Sequence, residues 1–341
     1  MTDALIASAV QARTVEDADR LEAELVKAVG GTYARNLGDL ELNWSVVATA
    51  VDPRAVIFER LVNGFDAVLE LEALRLDDFS CQTPSDAARK FYGVPCEGPR
   101  DLTEADRNRL AQLNLVSLHD SDDPARRPTI AVRDCGVGVT PEEMPNTILS
   151  LHRSNKLRKP YLQGVFGKGG SVACLFSRAT VVVTRRHPDL LTDGTEDRIA
   201  LAIIREADAP DVGLPFFRYL TRADGVPYWA TAAAAPEFEP GTLVIHVGYQ
   251  AEKMGQQRWD FEESIYAYAE TQLFRPALPY SLLDARSDCY NRRPADRRNK
   301  PAVVMGLGQR LDQLTEKDGL LDQTRGAAMI DVIDVGKVSL R

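Results

Sequence analysis

Cysteine is scarce and unpatterned in this chain of 341 residues: Cys81, Cys96, Cys135, Cys174 and Cys289 are odd in number and nowhere spaced C-x-x-C. That excludes a complete disulfide frame and the common zinc spacings, and it fits reduced thiols in a cytoplasmic protein. The four histidines are scattered and form no H-E-x-x-H, so metal chemistry through His or Cys is not expected. No apolar run approaches the length of a membrane span, so no membrane partner is expected. The opening MTDALIASAVQARTVED has neither a basic leader nor a long apolar stretch, and no secretory signal is expected. Positive charge is in deficit. A net charge of -9 argues against a surface built only for polyanions.

What is present is ordinary globular material, 44% hydrophobic and 27% charged, long enough for one large domain and part of a second. There are no internal repeats and no low-complexity tract. Residues 1–30 alternate apolar and charged positions at helical spacing and stop at Gly30-Gly31, which predicts a helical N-terminal extension over 1–40. LELNWSVVAT, at 40–49, has strand character. Pro53 opens a long helix, RAVIFERLVNGFDAVLELEALR. The polar stretch 76–128 predicts one further helix, capped by Thr103 and running to about Leu118. Strands are expected over TIAVRD (129–134), ATVVVTRR (179–186), RIALAIIRE (198–206), VPYWATA (226–232) and TLVIHVGY (242–249). A helix from Asp260 to Phe274 follows, then the basic segment Asn291–Lys300, read as a solvated linker, and closing strands in MIDVIDVGKVSLR. Without a regular βαβ alternation, the order favours an α+β layered domain over a doubly wound sheet.

Four local patterns carry chemistry. Glu59, Asn63 and Asp66 fall on one stripe of the long helix, flanked by Ile57, Leu61, Phe65, Val68 and Leu69. Such a stripe is either a solvated face or a polar surface satisfied by metal, phosphate and water. Asp134-Cys-Gly136-Val-Gly138-Val-Thr140 follows a strand directly. It is either a tight turn or a carboxylate poised for an exocyclic amine, with glycines that let a flat ligand approach the backbone. Gly164-Val-Phe-Gly167-Lys168-Gly169-Gly170-Ser171 presents backbone N–H groups to an anion, yet fits neither G-x-x-x-x-G-K-[ST] nor G-x-G-x-x-G. Gly241-Thr242 heads a late strand and carries no message alone.

In this order, over residues 41–275, the four patterns resemble the GHKL superfamily: DNA gyrase B subunits, the ninety-kilodalton heat-shock chaperones, histidine kinases, MutL and the MORC ATPases. Glu59, Asn63, Asp66 and Ala67 match its E-x-x-x-N-x-x-D-A helix, DCGVGVT its D-x-G-x-G, GVFGKGG its glycine-rich lid hinge, and GTLVIHV its late G-T strand. LSLHRSNK is similar to the lid stretch of the chaperones and MORC proteins, through Ser154 and Lys156. His152 departs from the glycine many relatives carry there, and the lid is short, with seven residues between Lys156 and Gly164.

The resemblance implies a Bergerat fold. This is a two-layer α/β sandwich with a mixed, mainly antiparallel sheet, helices on one face, and ATP held between the helices and the lid. It implies an ATP-binding domain over 41–280, then a linker and the start of a second, incomplete domain over 281–341. Glu59 would polarise water against the γ-phosphate, and Asn63 would hold Mg²⁺ through its amide oxygen. Asp66 belongs to the same nucleotide-binding helix. Asp134 would accept from the adenine amine with Thr242 in support, and Gly136 and Gly138 would line the base. Gly164, Gly167, Gly169 and Gly170 would cradle phosphates, with Lys168 or Lys156 neutralising charge. The implied activity is a Mg²⁺-dependent ATPase that switches conformation or homodimerises. Its client would be an unidentified protein or nucleic acid, as in relatives from chromatin-like and phage-defence systems. The alternatives are a nucleotide-sensing scaffold with little hydrolysis and a histidine-kinase-like enzyme. Asp66 stands where the kinases usually carry lysine, and no phosphoacceptor helix is visible.

Overall fold

A computed structural model describes residues 2–41, 43, 53–96, 98–125, 127–151, 159–163, 172–209, 214–250, 269, 272–287 and 300–308. The first elements are two helices, α1 (Thr2–Val10) and α2 (Val15–Val29). Thr14 and Asp17 form a capping box at the start of α2, and Gly30 closes it in the left-handed conformation, with φ 74°. Strand β1 (Tyr33–Asn36) leads toward the long helix α3 (Pro53–Arg75). Helices α4 (Pro84–Tyr92) and α5 (Glu104–Ala111) follow, capped by the side chains of Thr83 and Thr103. The remaining strands are β2 (Asn114–His119), β3 (Thr129–Asp134), β4 (Ala179–Arg185), β5 (Arg198–Ala209), β6 (Leu214–Thr221), β7 (Tyr228–Thr231), β8 (Gly241–Val247), β9 (Tyr280–Asp284) and β10 (Ala302–Val304).

All these strands join one mixed sheet in the order β1-β6-β5-β4-β8-β3-β2-β9-β10, with β7 paired to β5. The pairings are antiparallel except β2 with β9. The α+β class and mainly antiparallel sheet therefore stand as expected. No helix among the described residues is long and apolar enough to cross a membrane.

The period-two alternation of side chains divides the core between two faces. Val182 of β4, Val244 of β8, Val132 of β3 and Val116 of β2 pack with Ile57, Leu61, Phe65 and Val68 of α3, together with Ala87 of α4 and Leu110 of α5. Their neighbours Val181, Val183, Leu243 and Ile245 point the other way, against Leu5, Ile6, Leu21 and Leu25 of α1 and α2. The expectation of helices on one face is thus corrected. It describes α3–α5 only, because the strands alternate two apolar faces and the second is covered by α1 and α2. Polar contacts fix that cover: the Asp122 carboxylate accepts from the Val15 and Glu16 N–H groups at 2.6 and 3.1 Å, and Arg205 of β5 pairs with Asp19 and Glu22 of α2.

A second correction concerns the helix expected to run to Leu118. It ends at Ala111, and Asn114–His119 is a central strand between β3 and β9. Two open ladders and a half-alternating apolar pattern outweigh the helical capping signal upstream. Strands β1, β6, β9 and β10 were not expected. The strand proposed for 40–49, the helix Asp260–Phe274, the basic segment and the closing strands lie mostly or wholly outside the described residues.

Candidate functional site

At one end of the sheet the α3 face changes from apolar to polar. Cross-strand register aligns Asn114 with Asp134, Asp134 with Thr242, and Thr242 with Thr184. These four side chains form one row over β2, β3, β8 and β4, on the same face as Val116, Val132, Val244 and Val182. Asp134 and Thr242 in the middle are partly exposed, whereas Asn114 and Thr184 at the flanks are both 0% exposed. The row is a short polar floor that opens at its centre.

The hydroxyl protons on this floor are determined by its bonding. Thr184 Oγ1 accepts from the Val139 N–H at 3.2 Å and donates to the Gly241 carbonyl at 3.2 Å. Its third contact, Thr242 Oγ1 at 3.1 Å, must then be a donor, since each hydroxyl has one proton. Thr242 is left with lone pairs toward the open side. Asp134 accepts the Gly136 N–H at 3.0 Å through Oδ1. Ionised, it too offers only acceptors, so the open centre is suited to a ligand that donates there.

The loop after Asp134 runs between α3 and β4. Val137 N–H donates to the Ala67 carbonyl of α3 at 3.1 Å, and His187 N–H donates to the Val137 carbonyl at 2.9 Å. Gly138 has φ 54°, and a Cβ there would fall 1.9 Å from the Arg185 carbonyl oxygen. A Cβ on Gly136 would fall 2.4 Å from the Ala67 carbonyl carbon. The close approach these glycines allow is therefore to the chain's own backbone. Gly241, with φ 115°, acts in a related way. Its missing Cβ lets β8 begin against the Asp134 carbonyl, which sets Thr242 opposite Asp134. Arg133 fastens the same turn by donating to the carbonyls of Glu239 and Pro240.

The chain matches no protein-family model and no curated protein sequence.

Helix α3 lies over β2 and β3 and brings the other residues near this floor. A Cβ on Gly64 would fall 2.5 Å from Asn114 Oδ1 and 3.2 Å from Asp134 Cβ, so the helix sits directly on the row at this turn. Asn63 immediately precedes that glycine and is exposed, as is Glu59 one turn earlier. Asp66 is different. It is 1% exposed, and its Oδ1 accepts the Gln163 N–H at 2.7 Å. With the Glu70–Lys159 ion pair, this carboxylate fastens residues 159–163 onto α3. The expected polar stripe is thus divided into two solvent-accessible members and one buried anchor. Ser154, Lys156, Gly164, Gly167, Lys168, Gly169 and Gly170 lie outside the described residues.

Further along the same face is a second polar cluster, buried under α3. His246 Nδ1 lies 3.0 Å from Ser177 Oγ and 3.1 Å from Thr180 Oγ1. Burial, reinforced by the Arg60 guanidinium, holds its pKa well below the ordinary histidine value. Burial also lowers the Arg60 pKa and raises that of its neighbour Cys174, so this thiol is not activated. The row's own thiol neighbour, Cys135, is no more reactive, since burial raises its pKa as well.

Sequence reasoning found Asp134 and Thr242 but missed Asn114 and Thr184. The one signal for Thr184 is a polar residue closing the apolar run ATVVV; Asn114 was concealed by the helix expected there. Among the described residues no group of three or more His, Cys, Asp or Glu could hold a metal ion. A site of the magnesium kind does not need one, since that ion takes one or two protein oxygens and completes its shell with phosphate and water. The Asn63 amide fits that role, and the acceptor-only opening at Asp134 and Thr242 fits the amine edge of adenine.

Proposed function

We propose that this chain is a magnesium-dependent, ATP-binding and ATP-hydrolysing switch domain of the GHKL kind. The observation that carries the reading is the opening at Asp134 and Thr242, directly beneath the turn of α3 that follows Glu59 and Asn63. Asp134 accepts the exocyclic amine of the base, and Thr242 supports it with a lone pair, through water. Asn63 gives one oxygen to Mg²⁺, which neutralises phosphate charge when bound. Glu59, exposed one turn away, orients and polarises the attacking water. Residues 159–163, fastened to α3 by Asp66 and Glu70, anchor the chain between the Ser154–Lys156 stretch and the glycine-rich stretch from Gly164 that the resemblance assigns to the lid. Closure over ATP, and dimerisation with it, require that the nucleotide prefer the closed state.

The test is ATP binding and phosphate release by the wild type, Glu59→Ala and Asn63→Ala, with and without Mg²⁺. Binding without phosphate release in Glu59→Ala, and loss of Mg²⁺-dependent turnover in Asn63→Ala, are the expected results. A wild type that fails to bind ATP overturns the reading.

A further inference from the structure

Asn114 poses a problem that the ATP reading leaves open. Its side chain is fully buried, yet neither its Nδ2 nor its Oδ1 has a hydrogen-bond partner. Buried amides are rarely left so, and each exception calls for a cause. The position does not demand an amide, because an apolar side chain of similar shape would fill the space without burying unpaired polar atoms. What distinguishes it is its neighbour. Asn114 is the cross-strand partner of Asp134, and Asn114 Oδ1 and Asp134 Cβ converge on one point under Gly64, 2.5 and 3.2 Å from where a Cβ would stand. A serine or alanine on α3 would collide with the amide, so Gly64 and Asn114 form a matched pair beside the carboxylate.

We propose that Asn114 is a positioning residue for base recognition: when a nucleotide occupies the site, its amide N–H turns onto the Asp134 carboxylate. The inference rests on the ATP reading. Gly136 N–H already holds Asp134 Oδ1 from the loop side. A donor from the β2 side fixes the carboxylate plane from the opposite flank. The exocyclic amine of the base arrives at the open centre beside this carboxylate. Because the amide is unpaired without ligand, the new hydrogen bond adds to affinity and not to the stability of the ligand-free fold. Asn114 touches no ligand atom itself; it acts through Asp134.

Two nucleotides separate this role from simple packing: ATP, and purine riboside triphosphate, which lacks the exocyclic amine. Their dissociation constants are measured by calorimetry for the wild type, Asn114→Leu and Asn114→Asp, alongside thermal melting. Wild type is expected to prefer ATP. Asn114→Leu should weaken ATP about tenfold and leave the amine-free nucleotide unchanged, with a melting temperature equal to or above that of wild type. Asn114→Asp keeps the shape and loses the donor, so at pH 8 it should lose the preference too; it carries the test if the leucine variant does not fold. Equal weakening of both nucleotides, or an unchanged preference, overturns the role of Asn114 while leaving the ATP reading standing. A wild type that binds ATP without preferring it overturns the role and the assignment of Asp134 to the amine. A wild type that binds neither nucleotide overturns the ATP reading itself.

Discussion

Asp134 and Thr242 are direct cross-strand partners on β3 and β8, and both present only hydrogen-bond acceptors to the open centre of an otherwise closed polar row. Exchanging Asp134 for Asn replaces one acceptor with a donor and removes the charge. Since a hydrogen bond to a charged group contributes about 1.5–3 kcal/mol, ATP affinity should fall roughly 10- to 150-fold in Asp134→Asn. Melting should change little, because the side chain is partly exposed. Calorimetric titration of ATP checks this, and an unchanged dissociation constant would remove Asp134 from the site.

Glu59 is exposed, so Glu59→Gln should fold as wild type does. Removing a general base slows a reaction by about 100- to 10,000-fold, and phosphate release should fall by that order while ATP binding persists. Turnover at the wild-type rate would assign the water to another group.

Gly138 and Gly30 both have positive φ, but only Gly138 is enclosed. Gly30→Ala meets nothing within 4 Å and should cost about 1 kcal/mol, the ordinary penalty at a helix end. Gly138→Ala would add a collision with the Arg185 carbonyl to the same backbone strain, and should destabilise by about 4 kcal/mol or more. Urea unfolding of both variants measures the difference. Equal losses would mean that the loop relaxes away from β4.

His246 and His119 make the fold acid-sensitive, and burial lowers the His187 pKa in the same direction. Burial lowers the pKa of His246 well below its usual value, with Arg60 adding to the effect. Burial first, then Arg13, lowers His119 to about 4, against the raising influence of Asp284 and Asp120. Above the ordinary histidine pKa neither residue contributes any slope. Below about pH 6.5 the unfolded chain takes up protons that the folded chain refuses, so stability falls by up to about 1.4 kcal/mol per pH unit per histidine. The His119 share should level off near pH 4. Denaturant midpoints from pH 8 to pH 4 should show the decline, and His119→Gln should reduce its slope. A flat profile would contradict the neutral state of the buried His246 ring and the partly buried His119 ring.

Much of this architecture was legible in the sequence where the signal is local. Gly30, Thr103 and Pro53 mark helix ends through backbone chemistry that operates within a few residues, and the apolar runs at 129–134, 179–185 and 241–247 are strands. What remained hidden depends on register. Asn114, Asp134, Thr242 and Thr184 meet because separate strands pair at particular offsets, and no short window of sequence encodes that. Asp66 shows the same limit: its place on the helical stripe was visible, but the Gln163 N–H that occupies it comes from a distant segment. The glycines of DCGVG stand against protein backbone, Gly136 at Ala67 and Gly138 at Arg185, and that packing comes from segments no short window includes.

The two apolar faces of the sheet also link regions that share no ligand contact. Strands β4 and β8 turn Thr184 and Thr242 toward the pocket and, one residue away, turn Val183 and Leu243 into the cover formed by α1 and α2. A backbone that serves two sides has only one register. The N-terminal helices therefore act as a gauge block behind the floor: while they are seated, the acceptor spacing is held from the rear, and on the ATP reading unseating them would blur recognition without altering any atom proposed to meet the nucleotide.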